Sequence, residues 1–184
     1  MNTLVVNFWG GPGSGKSTLA AATFAELKCR GVSCELVFEY VKTWAWESRV
    51  PSKYDELYIF GQQVRRETLL YGKVPVVLTD RPLELSGFYA SEFGQPRLGQ
   101  AMDAAVAAVR NTAIDDGHRF LDVFVQRSSE YDPKGRYQTE TEARQLDERM
   151  RRISLYQFEV TKSEHKEIAA LVQARLARSA SDPK

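Results

Sequence analysis

Short apolar runs alternate along the chain with longer stretches of helical periodicity. Leu4-Val5-Val6-Asn7-Phe8-Trp9 is an apolar run of strand length, and the alanine-rich stretch that begins at Lys16 has helical spacing. The same reading predicts strands over residues 3–9, 33–39, 74–79, 120–126 and 154–160. It predicts helices over 16–30, 52–71, 139–152 and 163–178, and one or two more after residue 82, the clearest over 98–112. In the 52–71 helix, Leu57, Phe60, Val64 and Leu69 fall on related faces. Gly31 ends the first helix, Asp115-Asp116-Gly117 breaks the chain before the fourth strand, and Thr139-x-x-Glu142 is a capping box. Strands and helices in alternation predict an α/β fold, a parallel five-stranded sheet with helices on both faces. Residues 1–184 read as a single domain. Ligands of such sheets sit at the carboxyl ends of the strands, so the residues just after each strand matter most.

After the first strand comes Gly10-Gly11-Pro12-Gly13-Ser14-Gly15-Lys16-Ser17-Thr18, which has Walker A spacing. A strand precedes it and a helix follows it, as a phosphate-binding loop requires. The segment Gly11, Pro12, Gly13, Ser14, Gly15, Lys16, Ser17 and Thr18 is therefore the expected nucleotide cradle. Lys16 should reach the β- and γ-phosphates, and the Ser17 hydroxyl should ligate Mg²⁺. The fold expected is that of a P-loop NTPase, with a nucleoside triphosphate and Mg²⁺ as cofactors.

The other strand ends carry polar groups suited to phosphoryl transfer. Glu39, after the second strand, is placed to take a proton from an acceptor hydroxyl; a solvated strand-end glutamate is the alternative. Glu39-Tyr40-Val41-Lys42-Thr43-Trp44 leads on to Trp46, and either an indole stacks on a flat base or it lies in the core. After the third strand, Asp80 can hold Mg²⁺ and Arg81 can face a phosphate or a carboxylate. After the fourth, Arg127, Lys134 and Arg136 lie on a polar loop over about 127–138, which reads as a lid or as an ordinary solvated loop. Glu130 and Asp132 on that loop soften its cationic character. Gln62 and Gln63 occupy the middle of the second helix; a side-chain amide suits the edge of a nucleobase, and a solvent-facing pair is the alternative. His118 and His165 read as incidental.

Composition narrows this little. The net charge of +1 demands no polyanionic partner and excludes none. The longest apolar runs are strand-sized and the start has no signal-peptide pattern, so a cytoplasmic protein is expected, in the host cytoplasm if phage-encoded. Cys29 and Cys34 lack the spacing of a zinc site and read as reduced thiols, a disulfide across the Gly31 turn being the alternative. Arg149, Arg151 and Arg152 form a short cationic cluster at a helix end, an ordinary place for one. Residues 179–184 read as a loose tail.

These motifs together resemble the nucleoside and nucleotide kinase branch of the P-loop proteins. Asp80-Arg81 resembles the Asp-Arg pair of thymidylate kinases and the Glu-Arg-Ser motif of deoxynucleoside kinases. Glu39 with Trp44 resembles the Glu-Pro-Val-x-x-Trp segment of the latter, which implies a catalytic base at Glu39 and a substrate-lining role for Trp44, while Tyr40 is a further candidate to stack on an acceptor base. Gln62 then falls near their base-reading glutamine, and Arg127 and Arg136 resemble lid arginines. Tyr40 in place of proline, and Pro82 in place of serine, depart from the deoxynucleoside kinases. Tyr131-Asp132-Pro133-Lys134-Gly135-Arg136-Tyr137-Gln138-Thr139-Glu140 is similar to a lid segment of small bacteriophage kinases and ATPases. That group includes the 5-hydroxymethyluracil DNA kinases.

Three functions follow as expectations. The leading one is γ-phosphoryl transfer from ATP to the 5-hydroxymethyl group of a modified thymine in phage DNA. The second is a kinase of a free nucleoside, nucleotide or nicotinamide riboside. The third is an ATPase switch or assembly protein.

Overall fold

The computed structural model describes residues 1–52, 54–128, 131–132, 134, 136, 138–153 and 155–180. Five strands form one sheet: β1 (Leu4–Trp9), β2 (Cys34–Val37), β3 (Val76–Thr79), β4 (Arg119–Gln126) and β5 (Phe158–Thr161). Their order is β2-β3-β1-β4-β5, and every pairing is parallel. β1 is central. Leu4 pairs with Val76 on one side and Arg119 on the other. The chain leaves β1 toward β3 and β2, then returns to the far side for β4 and β5. That reversal opens a crevice at the carboxyl end of β1, where Gly10 begins.

The helices are α1 (Lys16–Cys29), α2 (Lys42–Trp46), α3 (Asp55–Thr68), α4 (Leu85–Glu92), α5 (Pro96–Asp115), α6 (Glu140–Ile153) and α7 (His165–Ala180). Alternate residues of β1 face opposite layers, as the strand period of two requires. Leu4, Val6 and Phe8 pack against Leu19 and Leu27 of α1 and Ile168 and Val172 of α7. Trp9 faces the other way, onto Leu85, Phe88 and Tyr89 of α4 and Leu146 and Met150 of α6. Helices on both faces explain why β1 is buried along its whole length.

On that second face the sheet also buries charge. Asp122 of β4 is fully buried, and its Oδ1 accepts from Asn7 Nδ2 at 2.8 Å and Trp9 Nε1 at 2.9 Å. Its Oδ2 accepts from Arg110 of α5 at 2.6 Å, and Arg110 donates again to Glu84 at 2.5 Å. His118, just before β4, is buried and accepts the Thr3 N–H through Nδ1 at 3.0 Å, a structural role.

Several sequence expectations need correction. The second long helix starts at Asp55 rather than residue 52, because the Ser52 N–H is drawn onto the Asp55 carboxylate at 2.6 Å outside the helix. Its buried face is Glu56, Ile59, Gln63 and Glu67, whereas Leu57 and Leu69 are exposed. The short helix α2 was not expected; it interrupts what reads as a strand-end loop. The last strand spans Phe158–Thr161, not 154–160. Tyr156 is instead packed against Phe124 in the second core, and the Gln157 N–H bonds the Asp122 carbonyl before the ladder begins. Ser154 lies outside the described residues. The capping box is present, with Thr139 and Glu142 exchanging backbone N–H bonds. Cys29 and Cys34 are both free thiols.

Candidate nucleotide and acceptor site

The loop leaving β1 turns on glycines with positive φ: Gly10 at 134°, Gly13 at 77° and Gly15 at 104°. A side chain at Gly15 would also sit 2.8 Å from Lys162 Cβ, so glycine is required there on two grounds. The Leu19 N–H bonds the Gly15 carbonyl at 2.9 Å, which starts α1 directly from the loop. Lys16 Nζ reaches back to the Gly11 carbonyl at 2.8 Å and so lies across the loop's mouth. Burial pushes the Lys16 ammonium down from 10.5, while Glu39, Asp80 and Asp147 oppose that.

The ends of β2 and β3 converge on the same place. Asp80, 2% exposed, accepts the Glu39 N–H at 2.7 Å and also bonds the Ser17 side chain. Burial and the nearby Glu39 carboxylate push Asp80 up from 3.8. A serine hydroxyl beside a buried carboxylate is a hard-oxygen pair, the donor type Mg²⁺ takes when phosphates complete its shell. Ser17 and Asp80 therefore fit the metal that a nucleotide brings. Arg81 is buried and bridges two carboxylates, Glu39 at 2.8 Å through Nη1 and Glu56 at 3.4 Å through Nη2. Sequence reasoning missed Glu56. It stands at the head of the polar buried stripe of α3, a place where a periodicity search looks for apolar residues.

One cavity of about 500 Å³ spans both halves. Its wall carries Gly13, Lys16 and Ser17 at the loop and Glu39, Arg81 and Glu56 opposite. Apolar surface from Leu85, Tyr89, Phe93, Val41 and Pro51 closes the space between them. Burial above all, with the Glu39 carboxylate adding, pushes the Tyr89 phenol upward, so this hydroxyl stays protonated.

The remaining expected site residues separate into two groups. Arg136 borders the cavity and donates from Nε to the Asp132 carbonyl at 3.0 Å. Arg127 is no free lid cation; it is buried against α6 and the phosphate loop. Of the expected lid, Ser129, Glu130, Pro133, Gly135 and Tyr137 lie outside the described residues. Tyr40, Trp44 and Gln62 are not on the cavity wall. Trp44 is buried, stacked on Tyr58 at 6.2 Å with Arg49 over its ring at 3.4 Å, while Trp46 is 67% exposed. The buried glutamine is Gln63, whose Oε1 accepts the Tyr40 N–H at 3.2 Å. Two cations of the α6 end are paired, Arg149 with Glu92 and Arg151 with Glu148 and Glu159. Among the described residues, no helix is long and apolar enough to cross a membrane.

No protein-family model matches the chain, and no curated protein matches it. Solved structures do. The APS kinase CysC of Mycobacterium tuberculosis aligns with a TM-score of 0.50 and 20% identity, over 96% of this chain and 98% of that one. The same enzyme in complex with AMPPNP and APS aligns at 0.51 and 17% identity, over 94% and 98%. The NadR protein in complex with NR aligns at 0.65 and 15% identity over 91% of this chain, which spans 50% of the NadR chain. Likeness at such identities is one of fold, and the fold is that of P-loop kinases.

Proposed function

We propose that this protein is an ATP-dependent kinase that phosphorylates a hydroxyl of a small nucleoside- or nucleotide-type acceptor. The observation that carries the reading is the single cavity walled by Lys16 and Ser17 at one end and by Glu39 and Arg81 at the other. Its volume suits a small molecule. Bound MgATP would supply the phosphoryl group. Gly13 to Thr18 and Lys16 would hold its phosphates, and Ser17 with Asp80 its metal. Glu39 Oε1 is held by Arg81, which aims the carboxylate into the cavity. Oε2 is then the oxygen that accepts the proton of the acceptor hydroxyl. Lys16 and Arg136 stand where they would neutralise charge spread over the transferred group. The solved neighbours support a small acceptor, one holding AMPPNP with APS and another NR. They lend nothing to the reading, first by sequence, of a hydroxymethyl group in DNA.

One observation keeps that DNA reading in play as a second. Trp46, Val50 and Tyr54 are exposed, at 67%, 73% and 72%, on the segment that forms the cavity rim at Val50 and Pro51. The aromatic rings of Trp46 and Tyr54 can stack on unpaired bases. The test is incubation with γ-labelled ATP and, separately, thymidine, dTMP, nicotinamide riboside, APS, plain DNA and hydroxymethyluracil DNA. Label on a free monomer supports the small-acceptor kinase. Label only on the modified DNA overturns it in favour of the second reading. Phosphate release with no labelled acceptor overturns both and favours an ATPase.

A further inference from the structure

The phosphate loop is gripped from behind by a circuit that the transfer chemistry does not call for. Asp147 of α6 uses both carboxylate oxygens. Oδ1 accepts the Gly11 N–H at 2.6 Å, and Oδ2 accepts Arg127 Nε at 3.0 Å. Arg127 then donates from Nη2 to the Pro12 carbonyl at 2.7 Å. Gly11 and Pro12 are neighbours, so the four groups close a ring on one turn of the loop. α6 approaches so closely that a Cβ on Gly11 would lie 2.9 Å from the Ala143 carbonyl oxygen. The arginine side chain is 4% exposed and the aspartate 11%, so water screens the pair little.

One terminal nitrogen of Arg127 is left over. Nη1 is buried and has no hydrogen-bond partner among the described residues. A Cβ on Gly13 would lie 3.1 Å from it, which puts this nitrogen over the outer turn of the loop beside the Tyr131 ring. A buried guanidinium N–H without a partner is expensive, and a phosphate or base acceptor arriving at the loop would satisfy it.

We infer that Asp147 is a positioning residue for nucleotide binding, acting through Arg127: it fixes the guanidinium so that Nη1 is presented to a nucleotide at the Gly13 turn. The inference rests on the nucleotide-binding reading of the loop. Asp147 touches no nucleotide itself. It sets the direction of Arg127 and, through Gly11, the shape of the loop's first turn. The ligand class is a nucleotide whose acceptor oxygens or ring nitrogens reach past Gly13.

Calorimetric titration of the full chain with Mg·AMPPNP tests this without reference to catalysis. Four proteins are compared: the unaltered chain, Asp147→Asn, Arg127→Met and the double variant. Asparagine matches aspartate in size and keeps an oxygen for the Gly11 N–H, but it carries no charge and turns its NH2 toward Arg127. Asp147→Asn should weaken AMPPNP roughly tenfold, as the orientation of one charge-assisted hydrogen bond is lost. Arg127→Met should weaken it as much or more. The double variant should bind within about twofold of Arg127→Met, because the aspartate has nothing left to position. Unaltered affinity in Asp147→Asn overturns the inference, and so do losses that multiply in the double variant. Thermal unfolding without nucleotide separates a purely structural role, which would lower the midpoint and leave the affinity of the folded protein unchanged. If the unaltered chain binds no AMPPNP, the loop is not a nucleotide site, and the failure is of that reading and not of the Asp147–Arg127 coupling alone.

Discussion

Arg81 Nη1 lies 2.8 Å from Glu39 Oε1, although Glu39 follows β2 and Arg81 follows β3. The pair holds because β2 and β3 are neighbours in register, with Val37 opposite Thr79. Two strand ends thus deliver a carboxylate and its partner to one cavity wall. The guanidinium is 2% exposed, and its second carboxylate, Glu56, keeps it from turning into the cavity.

Glu39→Gln follows directly. The amide oxygen can still accept from Arg81, so the wall stays in place, but the side chain no longer takes a proton. Turnover should fall by about 10² to 10⁴, with AMPPNP affinity unchanged. Steady-state kinetics on whichever acceptor is labelled, with a parallel binding titration, checks this. Turnover within a few-fold of the unaltered protein would remove Glu39 from the role of base.

Gly15→Ala should be harmful to both fold and function. The residue sits at φ 104°, and the added Cβ would meet the stem of Lys162 at 2.8 Å. The backbone term alone costs on the order of 1–3 kcal/mol, and the loop must then shift away from β5. A lowered urea midpoint together with loss of AMPPNP binding is the expected result. A variant of normal stability and affinity would show that the loop relaxes freely.

Arg110→Ala tests the charge buried beneath the sheet. Its removal leaves Asp122, wholly buried, and Glu84 without their shared cation. Breaking such a pair from one side costs about 3–5 kcal/mol. Urea denaturation should show a loss of that size, with no change in AMPPNP affinity at a temperature where the variant stays folded.

How much of this could be read from the chain depends on what each residue's signal is. The loop was legible because Gly10 to Thr18 carries its chemistry in consecutive residues, and β1 because its apolar run is uninterrupted. Glu39, Asp80 and Arg81 were legible because parallel sheets put ligands at strand ends. Asp147 was not, yet it had a signal. It lies in the helical stripe Ala143, Leu146, Asp147, Met150, where a carboxylate is out of place unless something buried meets it. α3 hid its meaning differently. Its buried face is Glu56, Ile59, Gln63 and Glu67, mostly polar, so apolar periodicity pointed to the wrong side. Gln63 is buried to hold the Tyr40 N–H and the Thr79 hydroxyl, contacts made across elements that no local pattern records.

Glu67, at the far end of that stripe, should make stability depend on pH. It is 1% exposed; its Oε1 accepts the Tyr71 hydroxyl at 2.6 Å, and its Oε2 has no partner among the described residues. Glu84 lines the same small pocket, the Asp122 carboxylate adds its charge nearby, and the nearby cation, Arg110, is already paired with both. Burial pushes the carboxyl from its ordinary 4.5 up to about 7. A folded value above the unfolded one means the native state holds the proton more tightly. The stability this contributes is complete below about pH 4.5 and is lost as pH rises through about 7. At 1.36 kcal/mol per pH unit the full effect is roughly 3 kcal/mol. Glu67→Gln keeps an acceptor for Tyr71 and cannot ionise. Urea denaturation at a series of pH values from 5 to 8 should therefore show the unaltered protein losing stability relative to Glu67→Gln as pH rises. Parallel profiles would mean that water or a neighbouring donor already stabilises the charged carboxylate.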